Sequence, residues 1–257
     1  MRSCIAKYLV MVTMLCIASS ATAAPLRLYI EEFFPYNYSL RNEVVGINAD
    51  LLKQACQLAN LECRFQSLPW LRAYELAQHH ESSGVFSIVR TGKRERQFQW
   101  VGPLVSSSTY LYRLKSRPEV NPADIQQAKA FGIAVTHGDF FEQYLLSQGF
   151  VVDKNLLLVQ SRLDAVPLFL AGKLDLLISS DQVIDGWLQP YGKSVADVEP
   201  VLDISYVGQN FLALNPEIPQ KKVQALQQAV DQLRAQGFIE ELFRQYKRET
   251  PPANSFK

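Results

Sequence analysis

Leu26-Arg27-Leu28-Tyr29-Ile30, followed by Ala49 to Leu61 and then by Glu62-Cys63-Arg64-Phe65-Gln66, is the stretch on which the fold turns. The first run is short and apolar, as a buried strand is. The second repeats apolar residues at helical spacing, and the third reads as a strand again. Strand, helix and strand in succession make a βαβ unit, which implies parallel strands covered by a helix. The alternation continues to the end of the chain. Trp70–His79 reads as a helix and Gly84–Val89 as a short buried strand. Asn121-Pro122 caps a helix running to about Lys129, with proline in its first turn. Phe131–Val135, Leu156–Val159, Leu174–Ile178 and Tyr206–Leu214 read as strands. Asp139–Ser147, Ser161–Ala171 and Asp181–Leu188 read as helices, and two more close the chain near Pro219–Gln236 and Phe238–Lys247. The fold class is therefore α/β, with parallel sheets covered on both faces. No repeat, low-complexity tract or long polar linker divides the chain, which suggests lobes connected by strands. Open α/β sheets hold ligands at the carboxyl ends of their strands. The loops after Ile30, Gln66, Val89, Val135 and Ile178 are the ones to inspect.

The N-terminus sets the compartment. Arg2 and Lys7 give a positive start, Tyr8 to Ala18 an apolar run, and Ala21-Thr22-Ala23 a small-x-small site. That is the grammar of a secretory signal peptide, and the run is short for a membrane span. Cleavage is expected after Ala23, and the mature chain in the periplasm. A bulky Leu15 before Cys16 argues against a lipoprotein. The leader removes two of 26 basic residues and none of 25 acidic ones, leaving a formal net charge of −1. Nothing there calls for a nucleic-acid partner or an anionic membrane surface. The 234 remaining residues are enough for one large domain or two lobes. Of four cysteines, Cys56 and Cys63 stay in the mature chain. In an oxidising compartment, seven positions apart, they are expected to pair, the other reading being two buried thiols.

The loops carry a resemblance. Glu32-Phe33-Phe34-Pro35-Tyr36 is followed by Gly46-Ile47-Asn48-Ala49-Asp50-Leu51-Leu52. Then come Thr91-Gly92-Lys93-Arg94-Glu95-Arg96, Phe98 with Trp100-Val101-Gly102-Pro103, and Gly172-Lys173-Leu174-Asp175 with Asp181. Ala235-Gln236-Gly237-Phe238-Ile239 precedes a short last helix. As an ordered set spanning the mature chain, these resemble the family 3 extracellular solute-binding proteins, the polar-amino-acid binders of bacterial ABC importers. Cys56 and Cys63 match a cysteine pair of some members. The resemblance implies two lobes, each an open, mostly parallel sheet flanked by helices, joined by two hinge strands. The first lobe is expected at 25–113 plus 207–250 and the second at 114–206. Hinge closure is expected near Tyr110–Leu114 and Tyr206–Phe211.

It also implies a ligand set. Arg94 stands where the family grips the ligand's α-carboxylate, a task suited to a guanidinium's rigid donor fork. Arg90, beside it, is the helper or the replacement, and Arg72 a second anion contact. Asp181 matches the ammonium-binding aspartate, though an aspartate at a helix start is equally an N-cap. Trp70 and Phe33 match aromatic pocket walls, while buried aromatics are also ordinary core. Ser87 offers a hydroxyl near the end of a buried strand. Gly138 opens a helix whose free N–H groups favour an anion. Asp139 and Phe140 follow it where hydroxyl residues are usual, so Asp139 is expected to receive a cationic or hydroxylated part of the ligand. Asp175 reads as structural.

Other chemistries find no support in the sequence. His79, His80 and His137 show no metal spacing, and no nucleophile elbow or phosphate loop is present, so neither metal nor cofactor is expected. A few enzymes, including a dehydratase and peptidoglycan-cleaving domains, share the fold. They need a cleft carboxylate that protonates a leaving group, and spacing singles out none of Glu31, Glu32 and Asp139. The expectation is a monomeric binding protein, no enzyme, with an amino-acid-like ligand. Its partner is an ABC permease or, as the alternative, a membrane signalling receptor.

Overall fold

A computed structural model of the chain describes residues 24–105, 108–205 and 209–246. The expected leader, residues 1–23, lies outside them. The elements run β1 (Leu26–Ile30), β2 (Tyr38–Leu40), β3 (Glu43–Val45), α1 (Ile47–Leu58), β4 (Cys63–Ser67), α2 (Trp70–His79), β5 (Ser83–Val89) and β6 (Gln99–Val101). Next come β7 (Thr109–Leu114), β8 (Ile133–Thr136), α3 (Phe140–Ser147), β9 (Leu156–Val159), α4 (Ala165–Leu170), β10 (Leu177–Ser180), α5 (Ile184–Leu188) and β11 (Val198–Asp203). β12 (Asn210–Leu214), α6 (Gln220–Ala235) and α7 (Phe238–Tyr246) end the described chain. No helix among the described residues is long and apolar enough to cross a membrane.

The first sheet has the order β4-β1-β5-β12-β6. The βαβ reading holds: β1 pairs in parallel with β4 and with β5. Alternation along β1 sends Leu28 and Ile30 to one face and Tyr29 to the other, the period-2 rule of a strand. The Leu28 face packs against α1 and α6, whose buried residues Leu51, Leu52, Ala55 and Val223, Leu226, Val230 recur at helical spacing. The Tyr29 face packs against Trp70, Ala73 and Ala77 of α2. Each large apolar side chain buried this way contributes about 1.5–3 kcal/mol, which is why both sheet faces must be covered. Gly84 marks a close approach between strands, since a Cβ there would stand 2.7 Å from the Ala213 carbonyl oxygen of β12. Cys56 at the end of α1 and Cys63 at the start of β4 form a disulfide, so the pairing reading stands over that of free thiols.

The second sheet has the order β10-β7-β11, and parallel β8 and β9 join it through a bridge from Ile133 to Leu176. A separate core of Leu111, Val120, Ile133, Val135, Leu145, Phe150 and Leu176 lies under it. The two-lobed α/β architecture is thus present, and its sheets are mostly parallel, each with one strand reversed. β12 runs antiparallel to β5 and β6, and β7 antiparallel to β10 and β11. These are the strands that follow the two crossings between sheets, where the returning chain enters from the opposite end. Tyr110–Leu114 lies within β7, the central strand of the second sheet, so the first crossing falls before it, in 102–108. The second lies in 204–209. Their described ends are tied together: Leu104 N–H donates to the Asn210 carbonyl at 2.7 Å and Ile204 N–H to the Thr109 carbonyl at 2.8 Å. Residues 106–107 and 206–208 of the crossings, and 247–250 of the expected first lobe, lie outside the described residues.

One helix is shorter than its sequence suggests. Asn121-Pro122 opens no α-helix, and only Gln127–Ala130 forms a single 3-10 turn. Asp124, ahead of it, accepts the Gln127 N–H at 2.8 Å. β10 also starts later than expected, because Asp175 turns inward to accept the Gly132 N–H at 2.7 Å and to pair with Arg117 at 2.6 Å. Ser179 and Ser180 thereby become the end of a strand.

Candidate ligand-binding cleft

Between the sheets lies a cleft of about 890 Å³, measured out to its open mouth. The first sheet supplies Phe33, Trp70, Ser87 and Arg94, and the second Thr136, Asp139, Arg162, Ser179, Ser180 and Trp187. Five of the loops picked from the sequence meet here, at the carboxyl ends of their strands.

Ser87 arrives by a bulge. Leu212 of β12 pairs with Phe86 and Phe211 with Ile88, so Ser87 has no opposite residue and takes φ +60°. The extra residue turns its hydroxyl into the cleft wall. There it accepts from Asn48 Nδ2 at 2.8 Å and donates to Asn37 Oδ1, while Asn37 Nδ2 donates to the Glu31 carbonyl at 2.7 Å. The first wall is a closed hydrogen-bond chain.

Arg94 is 2% exposed. Its guanidinium lies 5.5 Å from the Trp70 ring centre and 5.3 Å from that of Tyr74. It donates to the Val89 carbonyl at 3.2 Å and, across the cleft, to the Gly138 carbonyl at 3.4 Å. Burial pulls its pKa down, opposed by Tyr74 and Asp139. Gly138 sits at φ +78°, a conformation that favours glycine, and a Cβ there would press on the Leu71 side chain of α2. Asp139 caps α3 by accepting the Glu142 N–H at 2.9 Å. Burial pushes its carboxyl up, against the pull of Arg162, of the Glu142 amide and of Arg94.

The sequence reading missed the strongest contact between the walls. Arg162 Nη2 donates to Glu31 Oε2 at 3.2 Å, and its guanidinium carbon stands 4.3 Å from the Phe33 ring centre. Glu31 is 7% exposed, and burial raises its pKa although Arg162 opposes this. The signal was available. Ser161 and Asp164 form a capping box that fixes the turn carrying Arg162 directly after β9. The loop after Val159 obeys the same carboxyl-end rule as the loops that were chosen. Trp187, whose ring centre lies 6.3 Å from that of Phe33, is the other missed wall.

Four expected residues stand outside the lining, Gly138 among them. Asp181 is exposed, its N–H donating to the Ser108 carbonyl at 3.2 Å and its side chain accepting from Gln182 at 3.2 Å. It is no N-cap either: α5 begins only at Ile184, after a turn closed by the Val183 N–H on the Ser180 carbonyl. Arg90 pairs with Glu95 at 2.6 Å and lies over Trp100 and Phe211, outside the lining. Arg72 pairs with Glu75 at 2.8 Å on the exposed side of α2.

Several buried polar atoms of the lining have no protein partner: Trp70 Nε1, Thr136 Oγ1, Arg162 Nε, Ser179 Oγ, Ser180 Oγ and Trp187 Nε1. A buried polar atom left alone costs about 1–3 kcal/mol, so this many in one cleft need an external reason. Two α/β lobes meeting over such a cleft define a clamp for a small polar molecule. The chain belongs to the bacterial extracellular solute-binding proteins, family 3, whose model matches residues 26–249. No curated protein sequence matches it. Among solved structures, a histidine kinase sensor domain with similarity to periplasmic binding proteins is 16% identical, with TM-score 0.77, covering 89% of this chain and 98% of that one. The arginine-, lysine-, histidine-binding protein ArtJ of Geobacillus stearothermophilus is 15% identical, with TM-score 0.73, covering 90% and 99%. An ancestral arginine-binding protein bound to arginine is also 15% identical at TM-score 0.73, covering 86% and 97%.

Proposed function

We propose that this chain is exported to the periplasm and captures an amino acid or close analogue between its lobes, for delivery to an ABC importer. The observation that carries the reading is the set of unpartnered polar atoms on both walls of one cleft. A solute that touches both walls binds the closed form better than the open one, which is the only way a ligand can shift that equilibrium. The lobes divide at the crossings in 102–108, a few residues before the bound expected from the sequence, and in 204–209, which brackets it, and closure turns there. Arg94 and Trp70 hold the solute from the first lobe, and Ser179, Ser180 and Arg162 from the second. Catalysis has no part in this reading.

A second reading draws on the likeness to a histidine kinase sensor domain. In it the same clamp presents its closed form to a membrane signalling partner. Genes for a permease and an ATPase beside this one favour import, and a neighbouring kinase gene favours sensing. The test of capture itself is mass spectrometry of whatever accompanies the mature protein from the periplasm, followed by small-angle X-ray scattering with that compound. The expected result is a smaller radius of gyration at saturation. Tight binding with unchanged scattering overturns the two-walled clamp.

A further inference from the structure

We infer that the cleft takes an anionic, acceptor-rich solute, an acidic amino acid or small dicarboxylate, because Arg162 itself fills the place where a ligand's cation would stack. The inference rests on the capture reading above and names the class of molecule captured.

A cation site in a cleft needs an aromatic face and a counter-charge, and Phe33 and Glu31 provide both. Arg162 already occupies them, 4.3 Å from the Phe33 ring centre and 3.2 Å from Glu31. The remaining carboxyl, Asp139, is committed as well. It caps α3 through the Glu142 N–H and sits in the fields of Arg162 and Arg94. The sequence suggested that Asp139 awaits a cationic part of the ligand; in the structure its carboxylate is engaged as the α3 cap.

The unpartnered atoms point the same way. The indole N–H groups of Trp70 and Trp187 and the Nε–H of Arg162 can only donate. The hydroxyls of Thr136, Ser179 and Ser180 can donate as well as accept. Apart from Arg162, the side chains of this set belong to residues at most 5% exposed. The unpartnered acceptors nearby, Glu31 Oε1 and Asn48 Oδ1, belong to residues outside the lining. A molecule meeting this wall must bring acceptors, and carboxylate oxygens bring the most. A ligand with a cationic side chain would instead be brought close to the buried guanidinium of Arg94 and the partly buried one of Arg162, where like charges are poorly screened.

The test is calorimetric titration of the mature chain with L-glutamate, L-aspartate, succinate, L-glutamine, L-arginine and L-lysine. At least one acidic compound is expected to bind about tenfold or more tightly than glutamine, arginine or lysine. Arg162→Ala is then expected to weaken the acidic compound about tenfold or more and to admit arginine or lysine into the vacated site. Arginine or lysine binding best to the native chain overturns the inference and leaves capture standing. Glutamine matching glutamate does the same. A variant that binds neither class while folded, judged by its melting curve, overturns the self-filled cation site. If the variant does not fold, the native panel alone decides. If no compound binds the native chain, the amino-acid reading falls and the inference with it.

Discussion

The two walls of the cleft are built on opposite principles. On the first, Asn48, Ser87, Asn37 and the Glu31 carbonyl satisfy one another in an unbroken chain, and Arg94 donates to the Val89 carbonyl. On the second, Thr136, Ser179, Ser180 and Trp187 present polar atoms that find no partner within the protein. Trp70 Nε1, Asn48 Oδ1 and Glu31 Oε1 are the first wall's exceptions. A satisfied wall is rigid without ligand and stores little to gain from one. An unsatisfied wall costs stability until something supplies acceptors. The first wall therefore sets geometry, and the second supplies the differential affinity that drives closure.

The largest effect that tests this contrast is expected at Asn37. Asn37→Ala leaves the Glu31 carbonyl and the Ser87 hydroxyl without their buried partner, and should cost about 3 kcal/mol of stability. Denaturant unfolding measures it; a loss below about 1 kcal/mol means the first wall is not held by this chain of bonds. Slightly smaller is the effect of replacing both disulfide cysteines by serine. Closing a seven-residue separation contributes about 2.5 kcal/mol in the loop-entropy model. Because the bond joins α1 to β4, away from both walls, ligand affinity should be unchanged. A variant that loses affinity at full folding would tie the cleft to that edge of the sheet.

Ser180→Ala reverses the pattern. Removing a buried hydroxyl that has no protein partner should leave the stability of the unliganded chain unchanged or slightly raised. Affinity for the captured solute should fall by about 1 kcal/mol, roughly fivefold, as loss of one hydrogen bond does. Calorimetry and melting curves on the same sample decide it. A marked loss of stability with full affinity would place Ser180 in the satisfied class.

The sequence revealed the first wall better than the second, for a physical reason. Phe33, Trp70 and Arg94 sit in local motifs whose side-chain chemistry can be read in place. β1, α2 and the βαβ order were legible because burial on two faces imposes strict periodicity. The second wall depends on where strands stop. Asp181 reads as the terminal residue of interest until Asp175 is seen to pair with Arg117, delaying β10 so that Ser179 and Ser180 end the strand. Arg162 acquires its role only by meeting Glu31, 131 residues away in sequence. β7 and β11 pair only with strands distant in sequence, so their runs gave no local signal strong enough to be read.

The smallest effect is a pH slope, and it separates two buried carboxyls, Glu31 of the first lobe and Asp139 of the second. Burial raises both Glu31 and Asp139 above the ordinary carboxylate range, with Arg162 opposing in each case. A carboxyl raised on folding binds its proton more tightly in the folded chain than in the unfolded one. Its stabilising contribution is therefore present at low pH and lost as pH rises through the folded value. Thermal melting of the unliganded chain should decline from mildly acidic to neutral pH. Asp139→Asn should flatten part of that decline, because the amide never ionises and its oxygen can still accept the Glu142 N–H as a helix cap. Glu31→Gln removes a titrating group too, but it also removes the counter-charge of Arg162. That variant should be less stable than Asp139→Asn at neutral pH, where the ion pair matters most. If Asp139→Asn keeps the full slope, the two guanidiniums outweigh burial and hold Asp139 ionised. The second wall would then carry a fixed negative charge, and an anionic ligand would have to bind against it.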